Sequence, residues 1–487
     1  MPCTVGGQVT PIDVLPDDVL LSIFDFYLNE LLLPVIRDME DWQSLVHVCR
    51  RWRCVVFGSP RRLNLRLVCE PGTPARETLD VWPALPLVID IDGDYFSTSA
   101  DEIVFALGYR DRICRIDLRE VTRGLEWDKV LAAMQVPFPA LTNLRLRCRR
   151  DGPDLSILPD TFLGGSAPRL QYLDIYCIPF PGIPNLLLSA THLVDFDLSD
   201  IPHSGYISPE AMITCLSVLT SLVNLSLGFL SLRSRGDGES RRSPPMTRLI
   251  LPDLNTFWFK GAIEYLESLV ARIDAVRLRH LYITFPDQMN FDTPYLVQFI
   301  SRIPRFEEPD EAHVTLDDDA EVGLIWRSED VDERLSVSVQ IYRERSDPQV
   351  SAITQVCSKC LPPLPAVENL RLGVFIKSVY SELDWKDDIE DDQWLELLRP
   401  FTSVKSLYLS EEFQPNIASA LQELVGGRTT EVLPSLQNIF LEKFEPSGAF
   451  QEAIGQFVAA RQLSGHPIAV LPLSLVPKCQ WSPYSFC

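Results

Sequence analysis

The six residues "LTNLRL" at Leu141–Leu146 place apolar side chains in the pattern apolar-x-x-apolar-x-apolar. The pattern returns at "ICRIDL" from Ile113, "LQYLDI" from Leu170, "LVDFDL" from Leu193, "LVNLSL" from Leu222 and "LNTFWF" from Leu254. It continues at "LRHLYI" from Leu278, "VENLRL" from Val367, "VKSLYL" from Val404 and "LQNIFL" from Leu436. Successive starts lie 28, 29, 23, 29, 32, 24, 89, 37 and 32 residues apart, so one gap interrupts a steady period. The last two apolar residues of each motif are two apart, as in a strand that buries one face. Helical stretches fall between them: "LEWDKVLAAM", "SPEAMITCLSVL", "GAIEYLESLVARI", "DQWLELLRPF" and "NIASALQELV". One strand and one helix cannot bury their apolar sides alone, so neighbouring units must stack.

Each unit is similar in length to a leucine-rich repeat. The expected fold class is therefore α/β: a curved, leucine-rich-repeat-like solenoid over 63–470, behind a small helical domain at 12–62. The repeats are degenerate, because the Asn or Cys of such repeats, three residues past the last apolar position, is replaced by Arg149, Ile178 and Ile201. In the gap, about 285–366, "RLSVSVQIY" alternates Leu335, Val337, Val339 and Ile341, and a hairpin of "AHVTL", "GLIW" and "SVSVQIY" is expected in an irregular β-containing section. The polar stretch "SLRSRGDGESRRSPPMTR" reads as a loop, with Ser243 before Pro244 as a candidate phosphorylation site. The tail 471–487, rich in proline and without period, is expected to be disordered.

Upstream, "VLPDDVLLSIF" spans Val14–Phe24. Pro16 suits the first turn of a helix, and Asp17 and Asp18 favour its positive end. Val19, Leu20, Ile23, Phe24, Tyr27 and Leu28 then form an apolar stripe. "DWQSLVHVCRRWRCVVF" repeats the device with Leu45, Val48, Cys49, Trp52, Val55 and Val56, while Pro34 breaks any helix drawn through it. So small a helical unit buries little apolar area and tends to be completed by a partner or by the rest of the chain.

Leu15-Pro16, Leu20, Ile23-Phe24, Leu28, Leu45, Val48-Cys49-Arg50 and Trp52-Arg53 resemble the F-box pattern over about 45 residues, with a longer link after Leu28 than is usual. The whole arrangement resembles F-box proteins of basidiomycete fungi. The resemblance implies a three-helix F-box that docks on the Skp adaptor of a cullin-RING ubiquitin ligase, with Leu15, Pro16, Ile23, Phe24, Val48, Cys49 and Trp52 facing the adaptor or shaping that surface. Trp52 and Val48 equally suit holding the helices together. A target protein would then lie on the repeats, where residues flanking each motif's penultimate apolar position point outward: Arg145, Arg147, Asp174, Tyr176, Asp197, Trp258, Lys260, Tyr282, Tyr408 and Glu442. The competing reading is a scaffold protein whose helices only cap the solenoid, with "RRLNLRLVC" as its first strand.

The chain has 487 residues and a net charge of -23, which disfavours nucleic acid as a partner, since affinity there comes from neutralising phosphates. The acidity is local: residues 1–68 carry seven basic and eight acidic side chains, residues 305–445 carry 13 and 29. No run approaches the roughly 18 apolar residues of a membrane span, and the N-terminus lacks a basic region followed by an apolar one. A cytoplasmic or nuclear protein is expected, its 12 scattered cysteines reduced. No catalytic spacing stands out, and a non-catalytic chain without cofactor or metal is expected. "CSKC" at Cys357–Cys360 lacks a second ligand pair and suits a helix end. "DIDGDYF" at Asp90–Phe96 misplaces the glycine of a calcium loop and reads as strand and turn.

Overall fold

The computed structural model describes residues 14–30, 41–69, 75–92, 100–119, 127–148, 157–230, 247–286, 288, 291–316, 319–326, 334–342, 349–361, 364–373, 389–426, 428–442 and 449–473. Pro34, Arg149, Ser243 and the tail beyond 473 lie outside them. The chain divides into two compact units, Met1–Leu193 and Val194–Cys487.

In the first unit come α1 (Asp17–Glu30), α2 (Asp41–Val48), α3 (Arg50–Gly58), β1 (Leu67–Cys69), α4 (Ala75–Val81) and β2 (Leu87–Asp92). There follow α5 (Ala100–Leu107), β3 (Ile113–Arg119), α6 (Trp127–Ala133), β4 (Asn143–Arg147), β5 (Tyr172–Tyr176) and α7 (Ile183–Leu187). Strands β1 to β5 form a parallel sheet in chain order. Helices α4, α5 and α6 pack side by side, as right-handed crossovers on one face require. Parallel sheets usually have both faces covered and uniformly apolar strands. Here β4 alternates: Leu144 and Leu146 are fully buried, whereas Asn143, Arg145 and Arg147 are part-exposed on the other face. Each such leucine contributes about 1.5–3 kcal/mol.

The helical start departs from the expected stripes. α1 begins at Asp17, so Pro16 serves as its cap residue, its carbonyl accepting from the Leu20 N–H at 3.0 Å. Within α1, Leu20 and Phe24 are buried, while Val19, Ile23 and Tyr27 stay 39%, 43% and 40% exposed. The second stretch is two helices, because Cys49 takes an extended backbone (φ -157°, ψ 170°) and caps α3, its sulfur accepting from the Trp52 N–H. That break turns Val48 out to 58% exposure, so Val48 does not hold the helices together. Trp52 does, against Phe24 with ring centroids 4.7 Å apart. Trp42 Nε1 donates to the Arg66 carbonyl at 2.9 Å, and its ring meets Phe57 and Trp82 at 5.8 and 5.1 Å. This aromatic cluster fixes α2 and α3 beside the start of β1.

The second unit opens with β6 (Asp195–Ile201), α8 (Pro209–Leu216), β7 (Asn224–Phe229), β8 (Leu249–Ile250), β9 (Thr256–Lys260), α9 (Ile263–Val270), β10 (Ile273–Asp274), β11 (His280–Pro286) and α10 (Pro294–Ser301). Next come β12 (Glu311–Leu316), β13 (Asp319–Trp326), β14 (Leu335–Tyr342), α11 (Gln349–Lys359), β15 (Asn369–Gly373) and α12 (Asp391–Leu398). It closes with β16 (Ser406–Leu409), α13 (Gln414–Gln422), β17 (Asn438–Leu441), α14 (Ala449–Leu463) and β18 (Ala469–Pro472). Its main sheet has the order β6-β7-β9-β11-β14-β13-β12-β15-β16-β17-β18, while β8 and β10 pair separately.

The gap in the repeat pattern is an antiparallel meander of β12, β13 and β14, with the expected segments as its strands. The meander interrupts nothing, since β14 pairs parallel with β11 and β12 pairs parallel with β15. Beyond the repeats, β18 carries the sheet through Pro472, two residues past the expected end. Cys357 and Cys360 sit buried at the end of α11, and burial pushes both thiols up to about 12. Among the described residues, no helix is long and apolar enough to cross a membrane.

Candidate functional site

Two surfaces carry the sequence-predicted residues: the strand face opposite the helices, and the outer side of α1. In the first unit, strand register lines up Asp90, Asp117, Arg145 and Asp174 across β2, β3, β4 and β5. Arg145 is the strut of this row. Its Nε donates to Asp174 at 2.9 Å, Nη1 to Asp117 at 3.2 Å and Nη2 to the Tyr172 hydroxyl at 2.5 Å. Arg147 also grips Asp174, at 2.7 Å through Nη2. Arg115 reaches Asp117 at 2.7 Å, and Arg119 reaches Asp90 at 2.6 Å.

Asp174 therefore faces this side but does not lie open: it and Asp117 are both 1% exposed at the side chain, beneath guanidiniums that are 23–43% exposed. A buried carboxylate costs several kcal/mol to desolvate, and paired donors offset that cost. Burial acts to lower the Arg145 pKa, but the Tyr172 hydrogen bond and the charges of Asp117 and Asp174 outweigh it, so the guanidinium is held above its ordinary value. Burial raises the Tyr172 phenol. Tyr176 flanks the row, part-exposed.

In the second unit one register row runs Asp197, Ser226, Trp258, Tyr282, Ser338, Gly323, His313, Arg371, Tyr408 and Phe440. Trp258, 50% exposed, stacks on Tyr282 with centroids 4.0 Å apart, which leaves Tyr282 only 9% exposed. The Tyr282 hydroxyl accepts from Ser336 at 3.2 Å. Beside it lies His280, whose pKa is lowered by burial and then by Arg279. Across the meander, Arg371 stands 4.4 Å over the Tyr408 ring, and Tyr408 stacks on Phe440 at 4.7 Å.

Arg371 is also ion-paired with Glu311, and His313 Nε2 lies 3.5 Å from Glu321. Lys260 extends to Asp200 at 2.9 Å. Asp197 accepts from Ser199. Glu442 lies past the end of β17 and accepts from the Glu411 N–H at 3.2 Å, so it braces a turn instead of joining the row.

Sequence reasoning passed over Asp117 and Arg371, although "ICRIDL" and "VENLRL" place them as "LTNLRL" places Arg145, and Arg115, which stands where "LTNLRL" has Asn143. His313 and Ser338 had no such signal, because antiparallel pairing set them into the row, with Glu321 in contact with both.

Just before α1 Leu15 is half-buried and Pro16 exposed; on α1 Ile23 is exposed and Phe24 buried. Arg51 ties the helix start down, donating to Asp17 at 2.7 Å and to the Leu15 carbonyl. Val19, Ile23, Phe26 and Tyr27, at spacings of four, seven and eight, are all 39% exposed or more, and Val14 is 69% exposed. These residues give the helix an apolar side that is exposed among the described residues.

No protein-family model matches the chain, and no curated protein matches it. Among solved structures it is similar to the leucine-rich repeat-containing protein LegL7 from Legionella pneumophila, at 14% identity and a TM-score of 0.27, over 83% of this chain and 98% of that one.

Proposed function

We propose that this chain is the substrate-recognition subunit of a ubiquitin ligase of the Skp-cullin-F-box type. Its N-terminal helices dock a Skp-type adaptor, through it the cullin-RING ligase, and the strand face holds a target protein. The chain does no chemistry itself. It acts in the cytoplasm or nucleus by proximity, raising the concentration of the target at the transferred ubiquitin.

The observation that carries this reading is the uncovered apolar side of α1. Single exposed apolar residues are ordinary, but Val19, Ile23, Phe26 and Tyr27 recur on one side of one helix. An amphipathic helix left in this state suits a partner's groove. Capping is a second reading, favoured by the Trp42–Phe57–Trp82 cluster beside β1. The two use different residues and do not exclude each other.

The test is co-purification with a fungal Skp adaptor. Wild type is compared with Leu15→Ala/Pro16→Ala and with Ile23→Asp, folding being checked by circular dichroism. The expected result is adaptor retained by wild type and lost by both folded variants. Absence of adaptor from wild type would leave the helices as a cap and the chain as a scaffold.

A further inference from the structure

We infer that the chain is protected from the ligase it serves: its surface cations are arginines, so the first unit offers the transferred ubiquitin a single acceptor side-chain amine, at Lys129. This rests on the ligase reading above, and the experiment tells its failure from the failure of that reading.

Lysine is ordinarily among the commonest residues. This chain has eight lysines to 36 arginines. Every basic residue through position 128 is one of 13 arginines, and the first unit as a whole carries 18 arginines and Lys129. Hydrogen bonding explains only part of that choice. Arg145 needs a guanidinium, because its planar fork reaches Asp174, Asp117 and Tyr172 at once. Arg50, Arg61, Arg110 and Arg169, by contrast, are exposed at the surface, where a lysine would supply the same charge.

The difference between the two cations is chemical. A lysine ε-amine that has shed its ammonium proton attacks the thioester carbonyl that joins ubiquitin to its carrier enzyme. The N–C bond forms, the C–S bond breaks, and the carrier's cysteine leaves as a thiol with a proton from the attacking amine. An arginine guanidinium stays protonated, with its nitrogen lone pairs delocalised over the plane, so it makes no such attack. A receptor stays docked while successive targets come and go, which holds its own amines at a high effective concentration towards the carrier. Arginine keeps the charge and removes the acceptor, so specificity for the target is gained by excluding the wrong product.

The lysines that remain are restrained as well. Of the four among the described residues, Lys129, Lys260 and Lys405 lie against Asp101, Asp200 and Glu368, the first at 3.6 Å and the second at 2.9 Å. Each amine must leave its carboxylate before it can attack.

The experiment reconstitutes the full chain with a fungal Skp adaptor, cullin, RING subunit, activating and carrier enzymes, ubiquitin and ATP, in the absence of target. The initial rate of ubiquitin attachment to the chain is measured, and the modified lysines are mapped by mass spectrometry. Wild type is compared with Arg61→Lys/Arg110→Lys/Arg169→Lys, which conserves charge and leaves the residues assigned to the adaptor and the strand face untouched. The variant is expected to be modified at least tenfold faster, with its added adducts at the three new lysines, while adaptor co-purification and circular dichroism stay unchanged. The three single variants carry the same comparison should the triple one misfold. Lys129→Arg in the wild-type background is expected to clear the first unit of side-chain adducts. Equal rates for wild type and the folded variants, or a wild type modified at Lys129 as fast as the variant is at its new lysines, would overturn the inference and leave the arginines a matter of composition. A wild type that carries no adaptor defeats the ligase reading and this inference with it, whereas equal rates in an adaptor-bound chain defeat the inference alone.

Discussion

Gly323 lies under the His313 imidazole, and a Cβ built there would sit 1.9 Å from the ring's Cε1. Gly323→Ala must therefore expel the ring from the row and break its contact with Glu321; urea unfolding is expected to show a loss of about 1–3 kcal/mol. Adding His313→Ala should recover part of that loss, whereas strictly additive costs would refute the steric cause. Arg461 is fully buried and, among the described residues, has no ion pair; it donates to the Thr429, Pro434 and Leu436 carbonyls at 3.1 Å each. Burial lowers its pKa. Arg461→Met leaves three buried acceptors unpaired, and a loss of about 3 kcal/mol or more is expected in the same assay.

The thiols of Cys357 and Cys360 titrate in the folded chain near 12, against an ordinary 9.0. The native state thus holds these protons more tightly, and their contribution to stability is full below pH 9 and is lost as pH rises towards 12. At pH 8 each is ionised to roughly one part in ten thousand, so alkylation followed by mass spectrometry should label exposed Cys54 first and leave this pair unmodified.

Elements show where pattern reading works and where it stops. Every repeat motif became a strand, because alternation along a strand and burial of one sheet face are the same fact seen twice. The two N-terminal stripes were legible as helices, yet which residues they bury was not. The Cys49 backbone moved Val48 outward, and α2, α3 and Trp82 after α4 share an aromatic cluster that no local period encodes. Trp82→Ala should loosen that cluster by about 2 kcal/mol, below the 3–5 of a fully buried aromatic, and hydrogen exchange should quicken first in α2 and β1. Ile23→Asp on α1 is expected to change stability by no more than about 0.5 kcal/mol while removing adaptor binding, a split that a structural role for Ile23 would not produce.

At the scale of the whole chain, charge is the property with the widest reach. With 13 basic and 29 acidic side chains in 305–445, self-repulsion opposes compaction there. Raising salt from 0.05 to 0.5 M should raise the Tm, by about 1–2 °C per kcal/mol of repulsion screened, since buried pairs such as Arg145–Asp174 are screened less. A falling Tm would mean that the ion pairs outweigh the repulsion. The sequence alone determined the strand-helix period, the place of the meander, the acidic second half and the helical start, because each is a local periodicity or a composition. Only the tertiary structure decided that Asp117 and Asp174 lie beneath arginines, that His313 covers Gly323 and that one side of α1 stays open. Those facts depend on strand register and on break angles between helices, which bring together residues that are far apart along the chain.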